Sequence, residues 1–363
     1  MTLTDQSGIT GLQNDHVSRI VLNDLQRSEI NRYFRRISDG TYTLHRHTAC
    51  PICSCDHGTI VAKKDRYGIP QTTVVCHDCG VIFAHDPLDA ASLAKFYQEQ
   101  YRLIYDGHKA DSVHKERYHE QRFAERTSLA GMFLGQVSKV APLPETGTVV
   151  EIGSGGGWNI VGFPAKGWTA IGYDYDTDEM EHGKRRGLDM RYGSIEKAVS
   201  DGVKADLILM IQFLEHAADP VGTLRNAAKL LNPDGVIYIG VPGFKSMVLG
   251  AWGDKLAGTL QNAHLFLFEL RTLDIAASKS GLKRLWGNEG CTALYRLDSL
   301  HRSTSASRTK PHGRKSLRFV SLLERTSIFW EFVWKICGSP VSKNAHFIRR
   351  ATNALARRLG FNI

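Results

Sequence analysis

Three groups of residues in this sequence have types and spacings suited to chemistry. The first is Cys50-Pro-Ile-Cys53 with Cys76-His-Asp-Cys79, two C-x2-C pairs separated by 22 residues. Each pair can chelate through a tight turn, and four thiolates suit a tetrahedral Zn²⁺. Sulfur at all four positions, Cys50, Cys53, Cys76 and Cys79, would close the site and make the metal structural. Gly80 supports the second turn. Cys55, His57 and His77 are near enough in sequence to be alternates or bystanders, while Cys291 and Cys337 read as small buried apolar side chains.

The second group is Glu151-Ile-Gly-Ser-Gly-Gly-Gly157, directly after the apolar Val149-Val150. Glycines here let the backbone turn sharply and approach a ligand with no Cβ between them. A dinucleotide fingerprint running from Gly153 would need glycine where Trp158 stands. Further on, Asp174 ends a second apolar run and could accept hydrogen bonds from both hydroxyls of a ribose. NAD would be served equally by that geometry, and Asp176 could take the role instead. The third group is Glu215-His216 and the more distant His264. Imidazole is suited to removing a hydroxyl proton near neutral pH, and ordinary hydrogen-bonded structural histidines are the competing reading.

Elements to position these groups are legible in the pattern. Short apolar runs alternate with helical segments after Thr148, as βαβ units do. Strands are predicted at 148–152, 169–173, 189–192, 206–211 and 236–241, with two more near 284–287 and 292–297. Helices are predicted at 158–166, 177–186, 220–231 and 272–280. Upstream, an amphipathic helix is expected around 17–37. Residues 91–140 read as helical, with Leu93, Phe96, Tyr97 and Tyr101 at helical spacing and Pro142 and Pro144 closing the segment.

The order of these motifs resembles the class I S-adenosylmethionine-dependent methyltransferases. The resemblance covers about 150 residues and rests on several motifs in sequence order. These are the E-x-G-x-G-x-G loop, Asp174, the strand Asp206–Ile211 running into Gln212-Phe-Leu-Glu-His216, and Leu231-Asn-Pro-Asp-Gly235 before the next strand. It implies an α/β Rossmann-like domain with a mostly parallel seven-stranded sheet. It also implies that Glu151, Gly153, Gly155 and Gly157 line the methionine end of S-adenosylmethionine, and that Asp174 holds its ribose. Tyr175 would then pack near the adenine, Ser194 and Ile195 would cover the adenine edge, and Gln212 and Phe213 would close the site near the transferred methyl. Simple core packing is the alternative for Ile195 and Phe213.

A cysteine-knuckle module followed by Cys79-Gly-Val-Ile-Phe, Asp86-Pro and the Phe96-Tyr97-Tyr101 helix is similar to bacterial methyltransferases of sugar and polysaccharide biosynthesis. Deoxysugar C-methyltransferases are among them, but this chain has a basic tail where they carry a long C-terminal domain. O-methylation of a sugar, glycan or other small-molecule acceptor is therefore expected. The resemblance makes His264 a candidate base, with Ala263 where an acidic residue often precedes it; His216 is the other candidate, with ordering of the loop as its alternative role. RNA methylation and a non-catalytic zinc-containing assembly module are the rival functions. The strand exit Ile-Gln-Phe-Leu-Glu-His lacks the Pro-Pro-aromatic motif of many base-amine methylases, which makes nucleic acid the weaker partner.

Composition bounds the rest. The chain of 363 residues is 42% apolar and 23% charged, ordinary for a folded, water-soluble protein. It contains no apolar run of ~18 residues and no basic-then-apolar leader, so a cytoplasmic location is expected. The net charge of +9 is concentrated at the end, with 14 Lys and Arg against 3 Asp and Glu from Tyr295 to Ile363. The chain divides into a helical arm (1–45), a zinc module (46–90), a helical linker (91–140), the methyltransferase domain (141–300) and a basic helical tail (301–363). Within the tail, Phe319–Cys337 carries one narrow polar stripe on an otherwise apolar helix, expected to pack on the domain or on a second subunit in a homo-oligomer. Arg349, Arg350, Arg357 and Arg358 add the alternative of docking on the inner membrane face, which would suit a lipid-linked glycan. Residues 243–260, with Trp252, are expected to form part of a lid over the acceptor.

Overall fold

The computed structural model describes residues 1–107, 112–244, 256–299, 313–318 and 320–321. Most of the basic tail, Cys337 and most of the expected lid, including Trp252, lie outside the described residues. Among those described, no helix is long and apolar enough to cross a membrane.

Two sheets organise the chain. The first contains β1 (Thr2–Asp5), β2 (His57–Lys64), β3 (Pro70–Cys76), β4 (Ile82–Ala84) and, from far along the sequence, β10 (Phe266–Leu267), in the order β1-β2-β3-β4-β10. The second contains β5 (Thr148–Ile152), β6 (Thr169–Asp174), β7 (Asp189–Tyr192), β8 (Ala205–Ile211), β9 (Leu231–Gly240), β11 (Leu282–Gly287) and β12 (Thr292–Leu297). Its order is β11-β12-β9-β8-β5-β6-β7. β7, β6, β5, β8 and β9 pair in parallel, and β12 runs antiparallel to both β9 and β11. The mostly parallel seven-stranded sheet expected from the sequence is thus present. Its central strands are apolar runs buried on both faces, as a sheet covered by helices requires: Val149, Val150 and Ile152 of β5 and Leu207, Ile208, Leu209 and Met210 of β8 are 0% exposed.

The helices are α1 (Asp24–Ser38), α2 (Ala90–Glu99), α3 (Tyr101–Tyr105), α4 (Ser112–Arg126), α5 (Leu129–Val137), α6 (Thr177–Lys184), α7 (Ile195–Ser200), α8 (Pro220–Leu230), α9 (Leu256–Thr259) and α10 (Leu270–Lys279). Side chains set several starts. Asn23 forms a reciprocal capping box with Gln26, so the first helix begins seven residues later than the 17–37 pattern suggested. Asp219 caps α8 through Gly222 N at 2.9 Å, with Pro220 in the first turn.

Two expectations are corrected. Residues 158–166 form no α-helix. Their hydrogen bonds run three residues back (Ile160 N to Gly157 O, Phe163 N to Ile160 O, Lys166 N to Phe163 O), ending in the 3-10 turn Pro164–Lys166. The cause is tertiary: Gly162 lies against the Thr127 carbonyl, where a Cβ would come within 2.0 Å of the oxygen, and Pro164 follows. β9 begins at Leu231 rather than at residue 236, because Leu231 pairs with Ala205 across an irregularity in the β8–β9 register.

Candidate functional site

At the C-terminal ends of β5, β6 and β8, where ligands bind in open α/β sheets, a cavity of about 630 Å³ opens. Its floor is the glycine loop. Gly153, Gly155 and Gly157 have φ of 71°, 53° and 79°, conformations only glycine adopts cheaply. Gly153 and Ser154 donate to the Tyr173 carbonyl at 2.9 and 3.1 Å, tying the loop to the end of β6. A Cβ on Gly153 would stand 2.6 Å from Phe213, and one on Gly155 would stand 3.0 Å from Trp158. The loop is therefore a cradle kept open by missing side chains.

Asp174 lines the cavity from the end of β6. One carboxylate oxygen accepts from Gly155 N at 2.6 Å and the other from Asp176 N at 2.8 Å, leaving a lone pair on each for a ligand. Burial raises its pKa, against those two N–H bonds that favour the charge. Asp176, the alternative ribose acceptor, caps α6 through Glu179 N and accepts from Arg102 Nε at 2.6 Å.

Of the residues expected at this site, Gly153, Gly155, Asp174, Tyr175, Ser194, Gln212, Phe213 and His216 are all on the cavity wall. Gln212 has φ 53° and donates its N–H to Gly240 O at 2.7 Å, aiming the exit of β8 into the cavity. Glu151, Gly157 and Ile195 stand behind the wall. Gly157 is a packing glycine whose Cβ would meet Leu188 at 2.6 Å, and Ile195 is 1% exposed in the core. Glu151 is 0% exposed; one oxygen accepts from Asn159 Nδ2 at 2.6 Å and the other has no partner.

Burial pushes Glu151 up to about 8. A carboxyl raised in the fold contributes stability that is complete below its unfolded value and is lost as pH rises through the folded one. Glu215 is fully buried and also pushed up to about 8. Glu151→Gln is therefore expected to remove part of the loss of stability between about pH 5 and 8, leaving the share of Glu215. Thermal melts across that range check it, and an unchanged pH dependence would show that Glu151 is not protonated in the fold.

The remaining wall comes from residues to which the motifs gave no part in the cofactor site. α2 and α3 supply Tyr97, Tyr101 and Arg102, α4 supplies Arg122 and Arg126, and Trp158 and Asn159 follow the glycine loop. Arg122 and Arg126 are one helical turn apart, a spacing visible in the sequence. Arg122 stacks 4.4 Å from the Trp158 ring, and Arg126 donates to Asn159 Oδ1 at 2.6 Å. A second, more open cavity of about 620 Å³ shares Arg126, Asn159, Ile211 and Gln212 and extends over β9 toward Tyr238 and Pro242.

Glu215, His216 and His264 come together beside the first cavity, their ligand-capable atoms all within 4.8 Å of one another. The two imidazole centroids are 4.8 Å apart. His216 Nδ1 lies 2.8 Å from Ala263 O and 2.6 Å from Tyr97 Oη. A carbonyl only accepts, so Nδ1 carries the proton and Nε2 holds the lone pair. Glu215 Oε1 lies 3.8 Å from Nε2, beyond hydrogen-bond distance. His264 Nδ1 is buried with no partner. Burial lowers both imidazoles, His216 to about 4 and His264 well below its ordinary value, with the Arg66 charge acting in the same direction on His264. Both rings are neutral at physiological pH.

At the end of β3, the Sγ atoms of Cys50, Cys53, Cys76 and Cys79 lie within 4.8 Å of one another. The knuckles hold this geometry through Ser54 N to Cys50 O at 2.9 Å and Gly80 N to Cys76 O at 3.1 Å, with positive φ at Ser54 and Gly80. Four thiols this close, three of them buried, are the donor set of a closed tetrahedral site. His77 turns away to Thr59 Oγ1 at 2.9 Å, and Cys55 bonds the His57 backbone instead. Cys291 is fully buried, as expected.

Comparison with known proteins matches residues 118–285 to a family described as a methyltransferase domain. The chain is similar to a ubiquinone biosynthesis O-methyltransferase of Actinobacillus pleuropneumoniae, 33% identical over 101 residues, which are 25% of this chain and 43% of that one. A protein of the same name from Brucella anthropi is 28% identical over 179 residues, 45% of this chain and 71% of that one. The chain thus spans less than half the length of the first of these relatives. Among solved structures, an O-methyltransferase family protein from Burkholderia thailandensis aligns with a TM-score of 0.39 at 14% identity, over 56% of this chain and 64% of that one. The glycine loop, Asp174 and β5 to β9 fall inside residues 118–285, the segment that is similar to a methyltransferase domain.

Proposed function

We propose that the chain transfers a methyl group from S-adenosylmethionine to a hydroxyl oxygen of a sugar or glycan acceptor. One observation carries the choice of a hydroxyl. His216, on the cofactor cavity, is neutral, oriented through Nδ1 by a backbone carbonyl, and has its Nε2 lone pair free of any hydrogen bond among the described residues. We assign the base to His216 rather than His264, whose Nδ1 has no orienting partner and whose ring lies beside His216. The tyrosines favour a sugar: Tyr97 and Tyr101 line the cavity with ring centroids 4.9 Å apart, presenting apolar rings with polar edges. The names of the relatives, O-methyltransferases, agree with transfer to oxygen.

The cofactor fits the residues present. Its sulfonium-activated methyl supplies the electrophile. The glycine cradle and Asp174 would hold its methionine and ribose parts, with Tyr175 and Ser194 toward the adenine and the Arg126–Asn159 pair as donors for a carboxylate. The chain's own work is alignment of the acceptor oxygen with the methyl, exclusion of water, and removal of the hydroxyl proton by His216 Nε2 as the oxygen attacks. Zn²⁺ on Cys50, Cys53, Cys76 and Cys79 would be structural, with no open position for substrate.

The purified protein is expected to bind S-adenosylmethionine and its demethylated product. Asp174→Ala should weaken binding by about 1–3 kcal/mol, by removing a carboxylate that accepts from the ribose. Calorimetry decides this: no binding to the wild type, or equal affinity in the variant, would overturn the cofactor assignment.

A further inference from the structure

The loop that carries His264 leaves the methyltransferase sheet and is gripped by the N-terminal sheet. Asp65, 0% exposed, sits in the turn between β2 and β3. One of its oxygens accepts from Tyr67 N at 2.8 Å and Ile69 N at 2.9 Å, which closes its own turn. An asparagine would do that as well. The other oxygen crosses 197 residues to accept from Asn262 N at 2.9 Å. Nearby, Tyr105 Oη accepts from Ala263 N at 3.1 Å and donates to the Asn262 side chain. Arg66 donates its backbone N–H to Leu260 O at 3.0 Å and its guanidinium to Gln261 Oε1 at 2.9 Å. The turn at 261–264 is thus held from outside its own domain, and its Ala263 carbonyl is the atom that accepts from His216 Nδ1.

We infer that Asp65 is a positioning residue for the reaction. Through the Asn262–Ala263 segment it sets the carbonyl that keeps His216 in the tautomer with a basic Nε2, which makes the N-terminal sheet a working part of the site. This rests on the base assignment proposed above. A carboxylate is needed because only a second acceptor oxygen can bind Asn262 N–H while the first closes the turn. Full burial makes this a costly choice, since desolvation pushes the Asp65 carboxyl up to about 7.

The test is Asp65→Asn in the full chain, with the demethylated cofactor product bound, read by amide exchange and by the ¹⁵N signals of the His216 imidazole. Asn can still accept from Tyr67 and Ile69, but its NH₂ then faces Asn262 N–H. Losing that one bond should speed exchange at Asn262 by about tenfold and move the His216 signals toward a tautomer average. Protection at Tyr67 and Ile69 should persist, and product affinity should stay unchanged. Asp65→Ala, which removes all three bonds, should lose protection at Tyr67 and Ile69 too. Unchanged His216 signals or unchanged exchange at Asn262 in Asp65→Asn would overturn the inference. So would loss of protection throughout the N-terminal sheet, which would make Asp65 merely structural. Neither readout uses an acceptor, so failure to methylate sugars would count against the proposed function and leave this result standing.

Discussion

His216→Ala is expected to lower turnover by about 10²–10⁴-fold while leaving affinity for the demethylated cofactor within about twofold. The reason is the division of labour on the cavity wall. In the proposed reaction the glycine loop, Asp174 and their neighbours would hold the cofactor, whereas His216 would meet the acceptor hydroxyl with Nε2. The pH profile carries the same signature. A base acts when deprotonated, and burial lowers His216 to about 4. Turnover should therefore stay level as pH falls from 8 through 6.5, the ordinary histidine value, and decline only near 4–5. His264→Ala should cost less, since it removes a neighbouring ring and keeps the oriented lone pair. Release of demethylated cofactor with a sugar acceptor measures both variants. Near-normal turnover in His216→Ala, or a greater loss in His264→Ala, would move the base to His264.

Loss of metal from the cysteine site is expected to be the largest single effect on stability. Binding of structural zinc to four thiolates is worth about 10–16 kcal/mol in small peptides at neutral pH, and that binding energy is folding energy. Three of the five strands of that sheet are short and gain little from pairing alone. β1 is four residues long, β4 three and β10 two. Elemental analysis should find about one zinc per chain. Chelation, or Cys76→Ser with Cys79→Ser, should unfold β1–β4. Because Asp65, Arg66 and β4 grip the 258–267 segment, turnover should fall with the metal although no metal touches substrate. A metal-free protein with an intact N-terminal sheet by circular dichroism and amide exchange would exclude this role.

How much of this was readable in advance depends on the range of the interaction. The glycine loop, Asp174, the Gln212–His216 exit and the cysteine pairs each announce themselves within a few residues, because the backbone conformation or chelation they require is local. The parallel strands are equally legible, being short apolar runs between helical segments. The 158–166 stretch misled because its apolar content suits a helix, while a contact with Thr127, 35 residues before Gly162, demands a glycine and tighter turns. The same limit hid the working parts of the wall. Tyr97, Tyr101, Arg122 and Arg126 are ordinary helix residues by spacing, and only packing of α2–α4 across the sheet ends makes them line the cavity. Which histidine faces the acceptor was likewise open. Sequence names His216 and His264 alike, but a carbonyl at Ala263, 47 residues from His216, fixes the tautomer of one ring. Nothing in the local sequence singles out Asp65, because its bond to Asn262 spans 197 residues. Chemistry written within one turn of chain survives translation from sequence. A proton's position depends on which distant carbonyl the fold brings within 3 Å, because hydrogen bonds weaken steeply beyond that distance and carry no trace in local residue order.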